Sequence, residues 1–302
     1  MRYPSGMSSG PQPPPGEDYG PSNWGRWGAE DERGTLNLVT PERILAAVRL
    51  VRRGVVVTLG APLSREGPVA PQRDRTWHVV KHRHGPVFGV AEDAVVMSSH
   101  AGTHLDALSH ALLHRKMYNG FSIDEHVTSA GITRNAITAV GAIAGRGVLL
   151  DMAAFRGVDH MEMGEVITPD DLDACARHQG VRLEEGDIVL VRTGWYRIFE
   201  KDRARFDEGE PGLSYHCAEW FHERGLVAIG ADQCAVDVLP GEPGVHPYGL
   251  HPRVINQQGG YLIEYLDLEE LSNLGVYEFL FVASPLKITG AAGSPINPVA
   301  IL

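Results

Sequence analysis

The sequence predicts a mixed α/β fold, and three observations carry that prediction. Short apolar runs bounded by Gly, Pro and Asp, the signature of buried strands, outnumber the helical stretches. Several of these runs directly follow a helix closed by glycine, the helix–strand succession of α/β chains. No segment repeats, and 302 residues at 43% hydrophobic are enough to enclose one large core.

In chain order, residues 1–22 are rich in Pro, Gly and Ser and read as a disordered tail, because such a segment buries too little apolar surface to offset its ordering entropy. A single domain is expected over residues 23–302. Trp24 and Trp27 must be buried somewhere, on the same chain or as an arm on a neighbouring subunit. Thr40-Pro41-Glu42 opens a helix: a capping hydroxyl, a proline that loses no needed donor, and an acid at the positive end of the dipole. Gly54 closes it, and Ile44, Leu45, Val48 and Val51 form a face expected to cover a sheet. Residues 55–59 read as a strand. Residues 71–92, with Trp77, His78, His82 and His84 among Arg and Lys, read as a solvated hairpin whose Trp77 and Phe88 are candidates for lining a pocket.

Residues 94–97 are a short strand feeding a turn at Gly102, and residues 118–120 make another turn. Residues 143–152 are a buried strand. Thr168-Pro169-Asp170-Asp171 starts a second helix with Asp171 in capping-box position, and Gly180 ends it. Residues 186–195 form a buried strand ending in polar residues and Trp195, a place where α/β proteins keep their sites. A third helix over 214–224 stops at Gly225. The strand at 226–230 runs into Asp232 and Asp237, which are either pocket residues or solvated turn residues. Residues 260–268 read as strand and then helix start, and residues 276–283 and 298–302 as strands.

The chemistry is concentrated in residues 98–110, Ser-Ser-His-Ala-Gly-Thr-His-Leu-Asp-Ala-Leu-Ser-His. His100, His104 and Asp106 are enough to hold one divalent cation and leave coordination positions open, the arrangement of a catalytic rather than a structural site. Imidazole with carboxylate suits Zn, Mn or Fe(II), not a soft metal. Gly102 and Thr103 argue against a helix here. A tight turn returns His100 beside His104, and in extended chain His104 and Asp106 point the same way.

Residues 100–110 resemble the H-x-G-T-H-x-D-x-P-x-H signature of the cyclase family of metal-dependent hydrolases, which includes kynurenine formamidase and isatin hydrolase. Leu108 stands where that signature has proline. The resemblance extends from Trp24 to the C terminus and implies the swivelling β/β/α fold, a mixed sheet with flanking helices. It implies a homodimer or homotetramer acting on a small molecule, with a Zn or Mn cofactor of one or two ions. It also implies a distal His and Glu completing the site; His251 and Glu264 are the nearest match, with His246 an alternative histidine. His110 is then an acid–base catalyst or a ligand of a second ion. The expected reaction is hydrolysis of an amide, cyclic amide or lactone of a small aromatic molecule by a metal-activated water, with His110, Glu264 and His251 as the catalytic groups.

Three other readings use the same ligands: a non-heme Fe(II) oxygenase, whose facial triad is two histidines and a carboxylate; a cyclase or dehydratase; and a protein that keeps metal only for stability. Composition excludes other classes. Lys and Arg number 27 against 38 Asp and Glu, a net charge of −11, which disfavours nucleic acid and anionic membrane as partners. Cys175, Cys217 and Cys234 form no C-x-x-C pair, pointing to a reducing compartment. With no apolar run of membrane-spanning length and no signal-like N terminus, a cytoplasmic protein is expected.

Overall fold

The computed structural model describes residues 19–302. The expected tail, residues 1–22, falls mainly outside them; of its last residues, Ser22 donates its hydroxyl to the Gln257 carbonyl. Among the described residues, nine strands form one mixed sheet. They are β1 (Val56–Thr58), β4 (His104–Asp106), β5 (Ile143–Asp151), β6 (Ile188–Arg192), β7 (Ala228–Ala231), β8 (Tyr261–Glu264), β9 (Glu278–Ala283), β10 (Gly293–Pro295) and β11 (Val299–Ile301). The spatial order is β1-β11-β9-β5-β6-β7-β8-β4-β10. The four central strands β5 to β8 run parallel, and antiparallel strands flank them on both sides. Every residue of β6, β7 and β8 is buried, as continuous apolar strands covered on both faces must be. The mixed α/β class is therefore what the chain adopts.

Three helices lie against this sheet. For α1 (Pro41–Val48), Thr40 caps as expected, its hydroxyl accepting from the Arg43 N–H. The helix stops at Val48, short of Gly54. The helix covers the sheet as periodicity predicts, packing on β5 and β9, but it does so through small Ala47, the one buried residue, while Leu45 and Val48 are 59% and 46% exposed. Close approach through an alanine leaves the longer side chains at the rim. In α2 (Pro169–Gln179), the Thr168–Asp171 capping box forms and Gly180 closes the helix at φ 71°, burying Leu172 and Cys175. The third, α3 (Cys217–Glu223), is shorter than residues 214–224 and seals the core with Trp220 and Phe221.

Outside the sheet, β2 (Trp77–His84) and β3 (Gly89–Val96) pair antiparallel from Trp77↔Val96 to His84↔Gly89. The expected strand at 94–97 is the second arm of this ribbon rather than a separate element, and no residue of either arm is buried. Trp77 and Phe88 are 54% and 76% exposed at its base and tip. Trp24 packs onto its own chain instead of projecting as an arm: its indole N–H donates to the Asn256 carbonyl at 2.6 Å, and Asn23 donates to the Gln258 carbonyl. Among the described residues no helix is long and apolar enough to cross a membrane.

Candidate metal centre

The site is built on β4, which lies between β8 and β10 near one edge of the sheet. Its pleat sends Leu105 to one side and both His104 and Asp106 to the other. The pairing register sets Glu264 of β8 directly opposite His104, and Gly293 of β10 opposite Asp106. Ahead of β4 the chain bends through Gly102, whose φ of +64° lies in the left-handed region that glycine adopts without a Cβ penalty. That bend swings His100 back until its Nδ1 is 2.8 Å from Asp106 Oδ1. Gly293 makes the position possible, because a Cβ there would stand 2.5 Å from His100 Cε1. Beyond β4, His110 returns to the same place with its ring 4.2 Å from the His100 ring. Leu108 is sealed among the apolar side chains of the core.

The fourth wall comes from the distal segment. His251 immediately precedes a π-helical turn, Pro252–Gln257, of the kind often found at functional sites. Its Nε2 points at Glu264 Oε1, 3.1 Å away, and at Asp106 Oδ2, 3.8 Å away. Its Nδ1 is held 2.6 Å from Asp237 Oδ2, and the other oxygen of Asp237 accepts the Leu250 N–H. The structure thus brings together His100, His104, Asp106, His110, His251 and Glu264. His246 is exposed in the preceding loop, where its Nδ1 accepts the Tyr248 N–H.

These groups form two overlapping donor sets, His100 with Asp106 and His110, and His104 with Asp106 and Glu264, each with its ligand atoms within 4.8 Å of one another. Whether they fit a cation is decided by His104. Its Nδ1 lies 2.9 Å from the Gly102 carbonyl, which can only accept, so Nδ1 carries the proton. The Nε2 lone pair then faces Glu264 Oε2 at 3.0 Å and Asp106 Oδ1 at 3.6 Å, acceptor against acceptor. His104 Nε2 and Asp106 Oδ2 are fully buried with no hydrogen-bond partner. Buried electron pairs converging without a donor are costly unless a cation lies among them, so the residues fit a metal.

The surrounding field agrees with that charge pattern. Burial opposes ionisation of Asp106, yet His110 and His100 outweigh it and hold the carboxyl well below its usual range. Glu264 is held at about 2, burial and Asp106 being overcome by His104 and His251. Burial pushes His110 down to about 4 despite Asp106, so this imidazole is neutral and able to donate its lone pair. His251 is raised well above its ordinary value, because Asp237 and Glu264 on either side outweigh its burial.

Asp232 and Asp237 are not solvated turn residues; both are buried. Asp232 accepts the Thr193 and Gly194 N–H groups and ties the end of β6 to the end of β7. Two residues near the site carry no sequence signal. Glu210 is buried with Oε2 accepting the Cys234 N–H, and Arg73 donates to the His100 carbonyl. Of the expected aromatic lining, Trp77 and Phe88 are on the exposed ribbon and Trp195 is enclosed with Phe206 and Tyr265. Within that cluster it is Tyr265, 5.9 Å from the His104 ring, that meets the site.

The Cyclase family model ("Putative cyclase") matches residues 45–238, well over half of the chain and including the whole of β4 and its flanking histidines. The chain belongs to the cyclase family. A crystal structure described as a novel cyclase shares 34% identity with this family member and a TM-score of 0.84, covering 93% of this chain and 99% of that one. Isatin hydrolase A from Labrenzia aggregata, bound to benzyl benzoate, shares the fold at 24% identity and a TM-score of 0.61, over 86% of this chain and 97% of that one. Isatin hydrolase from Roseibium aggregatum is 24% identical over 223 residues, 72% of this cyclase-family chain and 76% of the relative.

Proposed function

We propose that the chain is a metal-dependent hydrolase that cleaves an amide, cyclic amide or lactone of a small aromatic molecule. The observation that carries this reading is the pair of donor sets sharing Asp106, with His104 Nε2 and Asp106 Oδ2 buried and unpartnered between them. The similarity to isatin hydrolase supports the substrate class, since isatin is a cyclic amide fused to an aromatic ring. The donors are nitrogen and oxygen only, which suits Zn or Mn. Cysteine closure of a purely structural site is not supported: Cys175 and Cys217 are buried elsewhere in the core, and Cys234 accepts the Tyr265 hydroxyl.

Divalent cations held between these donors would lower the pKa of water toward neutrality and polarise a carbonyl. Asp106 bridges the two sets. His100 and His110 complete one, and His104 and Glu264 the other. His251 is then the free acid–base group: Asp237 fixes its Nδ1 and aims Nε2 into the cluster. Kept protonated by Asp237 and Glu264, it would give that proton to the departing nitrogen or oxygen as the old bond breaks, and regain one from the water whose hydroxide has become bonded to the carbonyl carbon. His110, a quarter exposed, marks the open side from which substrate enters.

The same reading takes the chain as a cytoplasmic homodimer or homotetramer, with the apolar side chains exposed on the ribbon, Trp77, Val80, Phe88 and Val96 among them, in support; light scattering measures the assembly. The functional test is elemental analysis of the purified protein, then anaerobic assays of Zn- and Mn-loaded protein on N-formylkynurenine, isatin and simple lactones. Water-dependent ring or amide opening is the expected result. Turnover that requires Fe(II) and consumes oxygen would replace it with the oxygenase reading.

A further inference from the structure

Arg73 reaches the metal centre from the loop ahead of the ribbon. Its Nη1 donates to the carbonyl of His100 at 3.0 Å. Among the described residues no carboxylate pairs with its guanidinium, in contrast to Arg146 and Arg192, which each meet two. That carbonyl belongs to a residue whose ring is part of the first donor set, so the guanidinium is tied to the backbone of the centre itself. Arg73 is half-buried, and His110 is the most exposed member of the cluster. A guanidinium offers five donors in a planar fork. Here one is used.

A half-buried, permanently charged fork with unused donors beside such a donor set has one good complement, a carboxylate bound in bidentate fashion. Resting on the hydrolase reading, we infer that Arg73 receives a carboxylate of the substrate, so that the molecule cleaved is an anionic aromatic amide with its carboxylate close to the scissile carbonyl. Arg73 would then fix the anionic group of the molecule beside the scissile carbonyl and favour anionic over neutral analogues.

Calorimetric titration of benzoate into the Zn-loaded protein tests this without turnover. Wild type binds benzoate, and Arg73→Met and Arg73→Gln, the second retaining a donor for the His100 carbonyl, bind it at least tenfold more weakly at equal metal content. Equal affinity in wild type and both variants, or no binding by wild type, overturns the inference, because benzoate would then sit on the metal alone or nowhere. Hydrolysis of 2-formamidobenzoate and of neutral formanilide separates the two readings. The substitutions should raise KM for the anionic amide alone; an equal fall in kcat for both amides with benzoate affinity unchanged would make Arg73 a stabiliser of the reaction and sink the carboxylate role. Failure of wild type to cleave either amide would count against the hydrolase reading, while the benzoate titration would still decide Arg73.

Discussion

Glu264 lies directly across the sheet ladder from His104, and their side chains close to 3.0 Å with two electron-pair acceptors facing each other. The contact is made by backbone register between residues far apart in sequence, so it is as rigid as the sheet. A cation between the two atoms, or a proton carried by one of them, makes such a contact favourable.

Replacing Glu264 with Gln keeps the shape and removes the charge. Zinc affinity should fall at least tenfold and turnover with it, while the metal-free variant should be less stable than metal-free wild type near pH 7, because the carboxylate held at about 2 is stabilised by His104 and His251 more than it is opposed by burial and Asp106. Competitive chelator titration and thermal melts of the metal-free proteins read the two effects; unchanged zinc affinity would contradict the assignment.

Asp237 anchors His251 from the side away from the cluster. Partners of this kind typically contribute ten- to a hundredfold in affinity or activity. Asp237→Ala should lower kcat by about that factor and distort the pH–rate profile, whereas Asp237→Asn, which still accepts from Nδ1, should lose less. Equal, pH-independent losses in both variants would indicate a packing role only.

Gly293 is required by steric contact alone. Gly293→Ala introduces a methyl 2.5 Å from His100 Cε1, and overpacking of this kind costs about 1–3 kcal/mol. The expected result is a folded protein with a lowered melting temperature and weakened metal retention. Retention equal to wild type would show that His100 is not a ligand.

Glu210 is fully buried, and its carboxyl is raised well above 4.5 by that burial, with Glu264 and Asp237 adding to the effect against the Cys234 N–H. The folded protein therefore keeps a proton that the unfolded chain releases above about pH 4.5, and stability falls as pH rises from there. Glu210→Gln mimics the protonated acid. Denaturation midpoints of wild type and variant should be similar at pH 4 and separate in the variant's favour toward pH 8; parallel profiles would contradict this.

Much of the site is legible in the sequence because metal chemistry restricts residue type at short spacing. His100, His104 and Asp106 sit on one bend and one strand, so the chain's own geometry joins them. The arrival of His251 and Glu264 depends on how β8 pairs with β4, and no local pattern encodes that; the family resemblance pointed to them. Asp237 and Glu210 are harder still, since an acid that anchors an imidazole or hides in the core looks in sequence like any turn carboxylate. The face of α1 is misread in part. Its periodicity is real and the helix covers the sheet, but a small residue at the contact brings the helix close and leaves Leu45 and Val48 at the rim. The ribbon strand β3 runs longer than its apolar stretch, because cross-strand pairing carries Glu92 and Asp93 along with it.

Asp106 belongs to both donor sets, so one substitution addresses the central claim. Metal content by elemental analysis, measured on wild type and Asp106→Ala purified identically and assayed for amide or lactone hydrolysis, should show zinc or manganese bound in the first, with the variant both metal-free and inactive. An Asp106→Ala protein that is metal-free and fully active would contradict the account.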